Sequence, residues 1–506
     1  MQAPRLLFQL LKQSLPSQLI LIVAISGLVY LLVFTLPFLL PVYYDTIPPV
    51  DYSKLTGYSA NGFIVYLSSL TALFGLYIYA LKLLKPDRFR QLSNTYIFGG
   101  GLILAATLIV SYPLTAIDLF IYALRTRNWA LYGLQPLATS PDDLPGSDPW
   151  LGLAGEWIDA ASPYGPVWEL LSLALFYPSA NSYLFHLLWL KVVGVFAYLG
   201  TTALVYQTLK TLKPAWALMG TAAVAWNPLV LLESVQNAHN DIVMVFFFMA
   251  AIWVMLTFSR KFRWDILVCV LLVLSILIKF VTILVVPFFL ISLATRQSGW
   301  TRRVANLLLY SAVVIALTCL AMWPFWPGWE VWAVPAASAQ AGRSLLALLV
   351  LALRLWLGTN TGFDVARILI LGVFASIYLI QLWHTFHASQ NRSQRLQPVE
   401  ASFYVLFWYV LLAAPVFHAW YLLWFIPLAP LLLPRLRPLL AMVTFSITAL
   451  LVIPYFETVR VWYPVLLTNH LVGHLIGVPL LILPPIVVLL WPISPKEVSK
   501  VSSQQI

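Results

Sequence analysis

Repeated apolar runs, each long enough to cross a lipid bilayer, constrain this sequence more than any other feature. A membrane-spanning helix needs about 20 apolar residues. Hydrophobic residues make up 61% of the 506 residues and charged residues only 9%, whereas soluble domains carry about 25% charged residues. The chain is therefore predicted to be an all-α polytopic integral membrane protein, with full-length runs near 19–41, 61–82, 96–117, 183–208, 215–232, 241–259, 304–323, 364–386, 438–456 and 471–491.

The net charge of +11 follows from where the basic residues lie. Lys and Arg cluster in short segments between the apolar runs, for example at 82–90, 260–263 and 296–303. Since cytoplasmic loops of membrane proteins are enriched in Lys and Arg, we place all such clusters inside the cell. Most acidic residues then fall outside, and both termini are cytoplasmic. The positive charge is thus explained by topology, and we predict no nucleic-acid partner.

This orientation also predicts the number of crossings. It requires about twelve full transmembrane helices, together with short re-entrant helices at 166–179 and 344–357. Segment 266–294 becomes a hairpin of two short helices. Proline and glycine interrupt many of the segments, which membrane helices tolerate when neighbours satisfy the freed backbone groups.

The domain organisation follows from the same pattern. We predict an interfacial N-terminal helix at 1–17, a single transmembrane domain at 18–491 and a cytoplasmic tail at 492–506. The longest polar segment, 118–165, is rich in Gly, Pro and aromatic residues, which favours an ordered external loop close to the membrane over a linker. Two cysteines inside apolar runs offer neither a disulfide framework nor a cysteine metal site.

The stretch TAIDLFIYALRTRNW, at 115–129, places ionisable groups where an apolar run ends. The spacing of Asp118, Tyr122 and Arg125 puts the three on one face of a helix. A carboxylate at the membrane boundary can act as a general base, and an arginine can hold a phosphate oxygen. The alternative is a structural role, with Asp118 capping the helix and forming a surface pair with an arginine.

A second polar cluster occurs in ESVQNAHNDIVMVF, at a predicted external turn between two spans. Helix capping explains one or two of its polar residues but not all five. Glu233, His239 and Asp241 are metal-ligand types, but their spacing is not diagnostic of any metal. The amide-rich chemistry favours a pocket for sugar hydroxyls, formed by Glu233, Asn237, His239, Asn240 and Asp241.

Lys279 stands alone between two apolar pieces in LSILIKFVTILVVPF. It either extends its ammonium to the membrane interface or binds a lipid phosphate, a task that suits a compact ammonium. Tyr164, in the rigid turn SPYGPVWELL, is a candidate for the edge of a pocket.

The stretch APVFHAWYLLWFIPL carries aromatic residues at another predicted external turn. An aromatic belt at the membrane interface explains Trp424 without any function. His418 and Tyr421 remain candidates for a binding site.

The motifs that the sequence lacks are also informative. There is no Walker A sequence, no Rossmann glycine fingerprint and no Gly-x-Ser-x-Gly elbow. If the protein is an enzyme, its donor must reach a site at the outer membrane face. A lipid-linked donor meets this requirement because it diffuses in the bilayer.

Five of these motifs, in this order, carry a family resemblance: IDLFIYALRTRNWALYG, SPYGPVWELL, NPLVLLESVQNAHNDIVMV, ILIKFVTILVVPF and HAWYLLWFIPL. Over roughly residues 95–435 the chain resembles the polytopic GT-C glycosyltransferases, and most closely the bacterial polyprenol-phosphate-mannose-dependent mannosyltransferases. The resemblance implies transfer of a hexose, mannose in the closest relatives, from a polyprenyl-phosphate sugar to a lipid-linked or glycan acceptor. It also implies a site on the external face of the plasma membrane and inversion at the transferred sugar.

The resemblance assigns roles to individual residues. It makes Asp118 the catalytic base and places Arg125 and the turn 163–166 in a loop over the site. It places the polar turn of Asn237 to Asp241 in the same site and sets Lys279 near the donor phosphate. No cofactor or metal is predicted, and a divalent ion stays open as an alternative.

Two other functions fit some of the same features. A secondary transporter or flippase also places charges in the membrane, but it would line a path through the bilayer and often shows inverted repeats, which are not evident here. A ligase that joins a preassembled lipid-linked glycan to another lipid shares the outer-face geometry.

Overall fold

The computed structural model describes residues 14–86, 92–155, 157–258, 261–296, 299–326, 328, 342–388 and 395–491. The predicted interfacial helix at 1–17 lies almost wholly outside these residues, and the predicted tail at 492–506 lies wholly outside them. Within the described residues the regular elements are helices, joined by two isolated β-bridges. The prediction of an all-helical membrane protein is confirmed.

In the described part of the chain, seven helices are long and apolar enough to cross a membrane, or eight if one bent pair counts as a span. The protein is therefore polytopic, but these helices do not confirm twelve crossings. The seven are Leu15–Phe38, Ala60–Leu83, Tyr183–Leu212, Trp300–Phe325, Thr359–His387, Leu436–Trp462 and His470–Leu490.

Several predicted spans are shorter or broken. The run predicted at 96–117 forms the helix Thr95–Leu108, and the run at 215–232 bends by 50° between Ala225 and Pro228. A proline inside a helix removes a hydrogen-bond donor and clashes with the preceding turn. Other short helices lie between the spans, at Pro166–Phe176, Asp241–Thr257, Phe262–Ile276, Val286–Ala294, Leu345–Leu357, Gln397–Trp408 and Ala419–Leu432.

The predicted hairpin at 266–294 is formed by two of these short helices. Phe262–Ile276 descends to Lys279, a short 3-10 turn follows, and Val286–Ala294 returns. An ion pair of 2.6 Å between Arg296 and Asp265 joins the two far ends of the hairpin. Lys279 therefore lies at its tip, as the sequence predicted.

The long polar loop is ordered in its described residues. It begins with the helix Asp118–Tyr132. The buried guanidinium of Arg127 pairs with Asp148 at 2.7 Å and lies 4.4 Å from the ring centre of Trp150. The hydroxyl of Tyr132 donates to the same carboxylate at 2.6 Å. These contacts fold the loop back onto its own helix.

Candidate functional site

The polar turn after the bent helix pair is buried. A π-helical turn, Leu232–Gln236, leads into it, and Ala238 adopts a positive φ of 54°. The five side chains predicted to form a pocket here are polar or charged, yet all of them are fully buried: Glu233, Asn237, His239, Asn240 and Asp241. Buried polar groups of this kind need partners, because an unpaired one costs free energy.

Glu233 and His239 form one half of the site, together with Thr115. Glu233 accepts a hydrogen bond of 3.1 Å from the Thr115 hydroxyl and one of 2.8 Å from the Asn237 amide. The imidazole Nε2 of His239 lies 3.3 Å from a Glu233 oxygen, and its Nδ1 lies 3.7 Å from an oxygen of Asp118. His239 therefore stands between two carboxylates.

Asp118 is placed to meet a ligand. It is the first residue of its helix, but Ile117 occupies the capping position, and within the described residues no capping hydrogen bond involves the Asp118 side chain. Its side chain is 17% exposed, whereas that of His239 is fully buried. The structural alternative, a capping aspartate paired with an arginine, is wrong.

Tyr122 and Arg125 lie on the same helical face as Asp118, as the spacing predicted, and both are buried. The Tyr122 hydroxyl lies 3.5 Å from that of Tyr164. Arg125 donates to the carbonyl oxygens of Ala160 at 3.1 Å and Ala161 at 3.4 Å. This guanidinium therefore holds the polar loop over the site, and its buried Nε has no hydrogen-bond partner among the described residues.

Lys279 forms the other half of the site. Its ammonium is 2.8 Å and 2.9 Å from the two carboxylate oxygens of Asp241. It also lies 5.5 Å from the ring centre of Tyr164 and 5.5 Å from that of Tyr421, within the range of cation–π contacts. With 16% of its side chain exposed and a buried carboxylate as its partner, Lys279 faces the protein and does not extend to the interface.

Trp424 belongs to this pocket. Its indole nitrogen donates a hydrogen bond to Asp241, and its ring stacks on Tyr421 with 4.3 Å between the centroids. Only 3% of the residue is exposed. Interpreting Trp424 as part of an interfacial aromatic belt was therefore wrong, because a belt residue would face lipid.

The Pro-Tyr-Gly-Pro turn is fixed to the tip of the hairpin. The Gly165 N–H donates to the Ile278 carbonyl at 3.1 Å, and the Val167 N–H donates to the Leu277 carbonyl at 3.0 Å. A Cβ at position 165 would lie 2.2 Å from the Leu277 oxygen, so only glycine permits this approach. The contact holds Tyr164 over Lys279.

An aromatic stack joins the two halves. Trp420 lies between the imidazoles of His239 and His418, with centroid distances of 4.1 Å on each side. Tyr421 contacts His418 edge to face at 5.2 Å and faces Lys279. The structure therefore brings His418 and Tyr421 to the same site as the carboxylates, as the sequence predicted.

The side chain of Asn240 is unusual within the described part of the chain. Both its side-chain nitrogen and its oxygen are buried, and neither finds a hydrogen bond within the described residues. Leaving a buried donor and acceptor unpaired costs about 1–3 kcal/mol each. A ligand that supplies the missing hydrogen bonds would remove this cost, so Asn240 points to a binding site.

The metal alternative gains no support. Among the described residues, no group of three or more His, Cys, Asp or Glu side chains is arranged to hold a metal ion. In particular, Asp241 is bound to Lys279 and Trp424, whereas Glu233 is bound to Thr115. The proposed ligands thus lie in different halves of the site.

Two residues that hold the polar turn in place were missed from the sequence. Thr115 gave no signal beyond its place at the end of an apolar run. Lys191 did give one, since it is a lone cation inside the run YLFHLLWLKVVGVFAYLG. It is fully buried, and its ammonium donates to the carbonyl of Val235 at 3.1 Å and to that of Gln236. These bonds secure the turn that carries Glu233.

The fold and the site together define a polytopic helical membrane protein in which carboxylates, a lysine and aromatic rings converge at the ends of several helices. Residues 45–295 match the model of the MptA/B family, described as alpha-(1->6)-mannopyranosyltransferase, N-terminal domain. The chain belongs to this family of membrane mannosyltransferases, which confirms the resemblance to GT-C enzymes that depend on polyprenol-phosphate-mannose. The comparison with curated proteins gave no match.

Proposed function

We propose that the protein transfers a hexose, specifically mannose, from a polyprenyl-phosphate sugar to a hydroxyl group of a lipid-linked or glycan acceptor. The observation that carries this proposal is the partly exposed carboxylate of Asp118, which adjoins the buried pair of His239 and Glu233. The family match supports sugar transfer. The site also combines a candidate base with a cation, the two groups that such a transfer needs.

We further propose that the site faces the exterior of the cell membrane and that both termini are cytoplasmic. The basic clusters support this orientation, because Lys and Arg favour cytoplasmic loops. About twelve crossings would require several of the short helices, other than the two expected to be re-entrant, to cross the membrane together with the seven or eight long ones.

In the proposed reaction, Asp118 takes the proton of the acceptor hydroxyl. The acceptor oxygen forms a bond to the anomeric carbon of the donor as the bond from that carbon to the phosphate oxygen breaks. The electron pair leaves with the polyprenyl phosphate. Attack from the side opposite the leaving group inverts the anomeric centre. His239, fixed by its stack on Trp420, limits where the Asp118 carboxylate can turn.

The donor phosphate would bind beside Lys279. The ammonium is held at this position by Asp241 and by the surrounding rings. The N-terminus of the helix Asp241–Thr257 carries a partial positive charge that favours anions. The unpaired Asn240 amide can donate to the phosphate or to a sugar hydroxyl. A cation positioned before the reaction stabilises the charge that develops on the leaving phosphate.

The decisive experiment is a transfer assay with purified protein in vesicles and a panel of polyprenyl-phosphate sugars. We expect transfer from the mannose donor. We expect Asp118→Asn to lower kcat by about 100-fold or more, because an amide cannot accept the proton. The matched control is Asp159→Asn, which removes an exposed carboxylate of the same loop and should leave kcat unchanged.

Three results would count against the proposal. Near-normal turnover in a folded Asp118→Asn protein would remove Asp118 as the base. If the wild-type protein transfers no sugar from any donor but moves a solute or lipid across the vesicle membrane, it is a transporter or flippase. Transfer of a preassembled glycan in place of a single hexose would identify a ligase.

A further inference from the structure

A cavity of about 20 Å³ adjoins the carboxylate half of the site. Thr115, Arg343, His418 and Trp420 are among the side chains that line it. Two of its lining residues contact the buried cluster, since Thr115 donates to Glu233 and Trp420 stacks on His239. The described residues that line it do not include Lys279. The cavity is small, with room for about one water molecule, but it places Arg343 beside the carboxylate half of the site and not beside Lys279.

Arg343 is held in an unusual backbone conformation at the edge of this cavity. Its φ of 57° lies in the left-handed region, which residues other than glycine seldom adopt. The Gly342 N–H donates to the Pro415 carbonyl at 3.1 Å, and the Phe417 N–H donates to the Gly342 carbonyl at 3.0 Å. The Ser344 hydroxyl also donates to Pro415, at 2.6 Å. Strain that neighbouring bonds maintain in this way concentrates at functional sites.

The positive charge of Arg343 is compensated by a carboxylate. Its guanidinium pairs with Glu457, and the two side chains are 34% and 21% exposed, so both remain accessible. Arg460 and Asp51 lie within electrostatic range of Glu457, and the exposed Lys54 lies close to Asp51, so each of the two carboxylates has a cation beside it. A phosphate site would show an excess of positive charge. A compensated guanidinium–carboxylate pair instead offers donors and acceptors side by side, which suits the neighbouring hydroxyls of a neutral sugar.

We propose that Arg343 and Glu457 form the subsite for a neutral sugar unit of the acceptor. The inference rests on the proposed function and adds to it the class and the direction of the acceptor. The acceptor glycan enters from the Arg343 side, and the donor phosphate binds on the Lys279 side. Arg343 donates to one hydroxyl and Glu457 accepts from the next, which brings the reacting hydroxyl toward the cluster of Thr115, Glu233 and Asp118.

The test measures both Michaelis constants in the full-length protein. The donor is polyprenyl-phosphate mannose, and the acceptors are a lipid-linked neutral oligomannoside and the same molecule carrying a phosphate group. We expect Arg343→Ala and Glu457→Gln each to raise the KM of the neutral acceptor about tenfold or more, with the donor KM changed less than twofold. Arg435→Ala is the matched control, because it removes an exposed pair with Glu400 away from the cavity. It should change neither constant.

The outcomes separate the proposals. If the variants raise the KM of the donor and leave the KM of the acceptor unchanged, the acceptor subsite is overturned. It is also overturned if they raise the KM of the phosphorylated acceptor alone. If Arg343→Ala fails to fold, Glu457→Gln, which keeps the shape of the side chain, decides the question. An inactive wild-type protein contradicts the proposed function itself, whereas an active wild-type with unaffected variants contradicts only the subsite.

Discussion

At the residue scale, the pair of Lys279 and Asp241 is the feature that most needs a careful test. Removing one member of a buried ion pair leaves the other charge uncompensated, which often costs 3–5 kcal/mol and can unfold the protein. Lys279→Ala alone therefore mixes a loss of stability with a loss of donor binding. Removing both charges together avoids this difficulty.

We predict that the double variant Lys279→Met and Asp241→Asn keeps its fold but binds the donor poorly. With the ammonium gone, the phosphate loses its cationic partner, and the donor KM should rise at least about tenfold. Lys279→Met alone should show the same rise together with a lower melting temperature. Kinetics and thermal melts in detergent measure the two effects. An unchanged donor KM in the folded double variant would contradict the phosphate role of Lys279.

The residue types in the site could be predicted from the sequence, but their partners could not. Ionisable groups at the ends of apolar runs are costly unless they function, and this argument identified Asp118 and Lys279. Pairings such as Thr115 with Glu233 and Trp424 with Asp241 join positions 118 and 183 residues apart. Such contacts depend on how helices pack, and the local pattern carries no information about them.

At the scale of elements, hydrophobic runs predicted where helices lie, although they did not predict where helices break. The run near 215–232 reads as continuous, yet it bends by 50° ahead of Pro228 and continues into a π-helical turn. Because of this break, Glu233 and the residues that follow it point toward the site. The hairpin tip at Lys279 could be predicted because a lone cation interrupts the run there.

Docking of the Pro-Tyr-Gly-Pro turn on the hairpin gives a prediction at this scale. Gly165→Ala would place a methyl group 2.2 Å from the Leu277 oxygen, so the turn must move away from the tip. We expect a loss of about 1–3 kcal/mol in stability and at least a tenfold drop in transfer, because Tyr164 would no longer lie over Lys279. Thermal melts and initial rates measure the two effects.

Gly146→Ala is the control for that experiment. It lies in the same polar loop, and a Cβ there meets no atom within 4 Å, so rate and stability should match the wild type. If Gly165→Ala were as active as Gly146→Ala, close docking of the turn would not be required for transfer.

At the scale of the whole molecule, the orientation in the membrane decides which substrates can reach the site. In a protein whose exposed Cys319 is replaced by serine, we predict that a cysteine at Gly146 reacts with a membrane-impermeant maleimide added to intact cells. A cysteine at the exposed Lys210 should react only after the cells are opened. The charge pattern predicts this result through the cytoplasmic preference of Lys and Arg. The reverse labelling pattern would place the site inside the cell.

The aromatic stack of His239, Trp420 and His418 has a consequence for how the protein can be divided. The match to the family ends at residue 295, yet His239 within that segment rests on Trp420 from the other end of the chain. Asp241 likewise depends on Trp424. The matched segment is therefore not a module that can be excised or exchanged between relatives. A chimaera would have to take residues 418–424 from the same protein as the segment 45–295. Otherwise His239 and Asp241 would face aromatic residues that do not fit them.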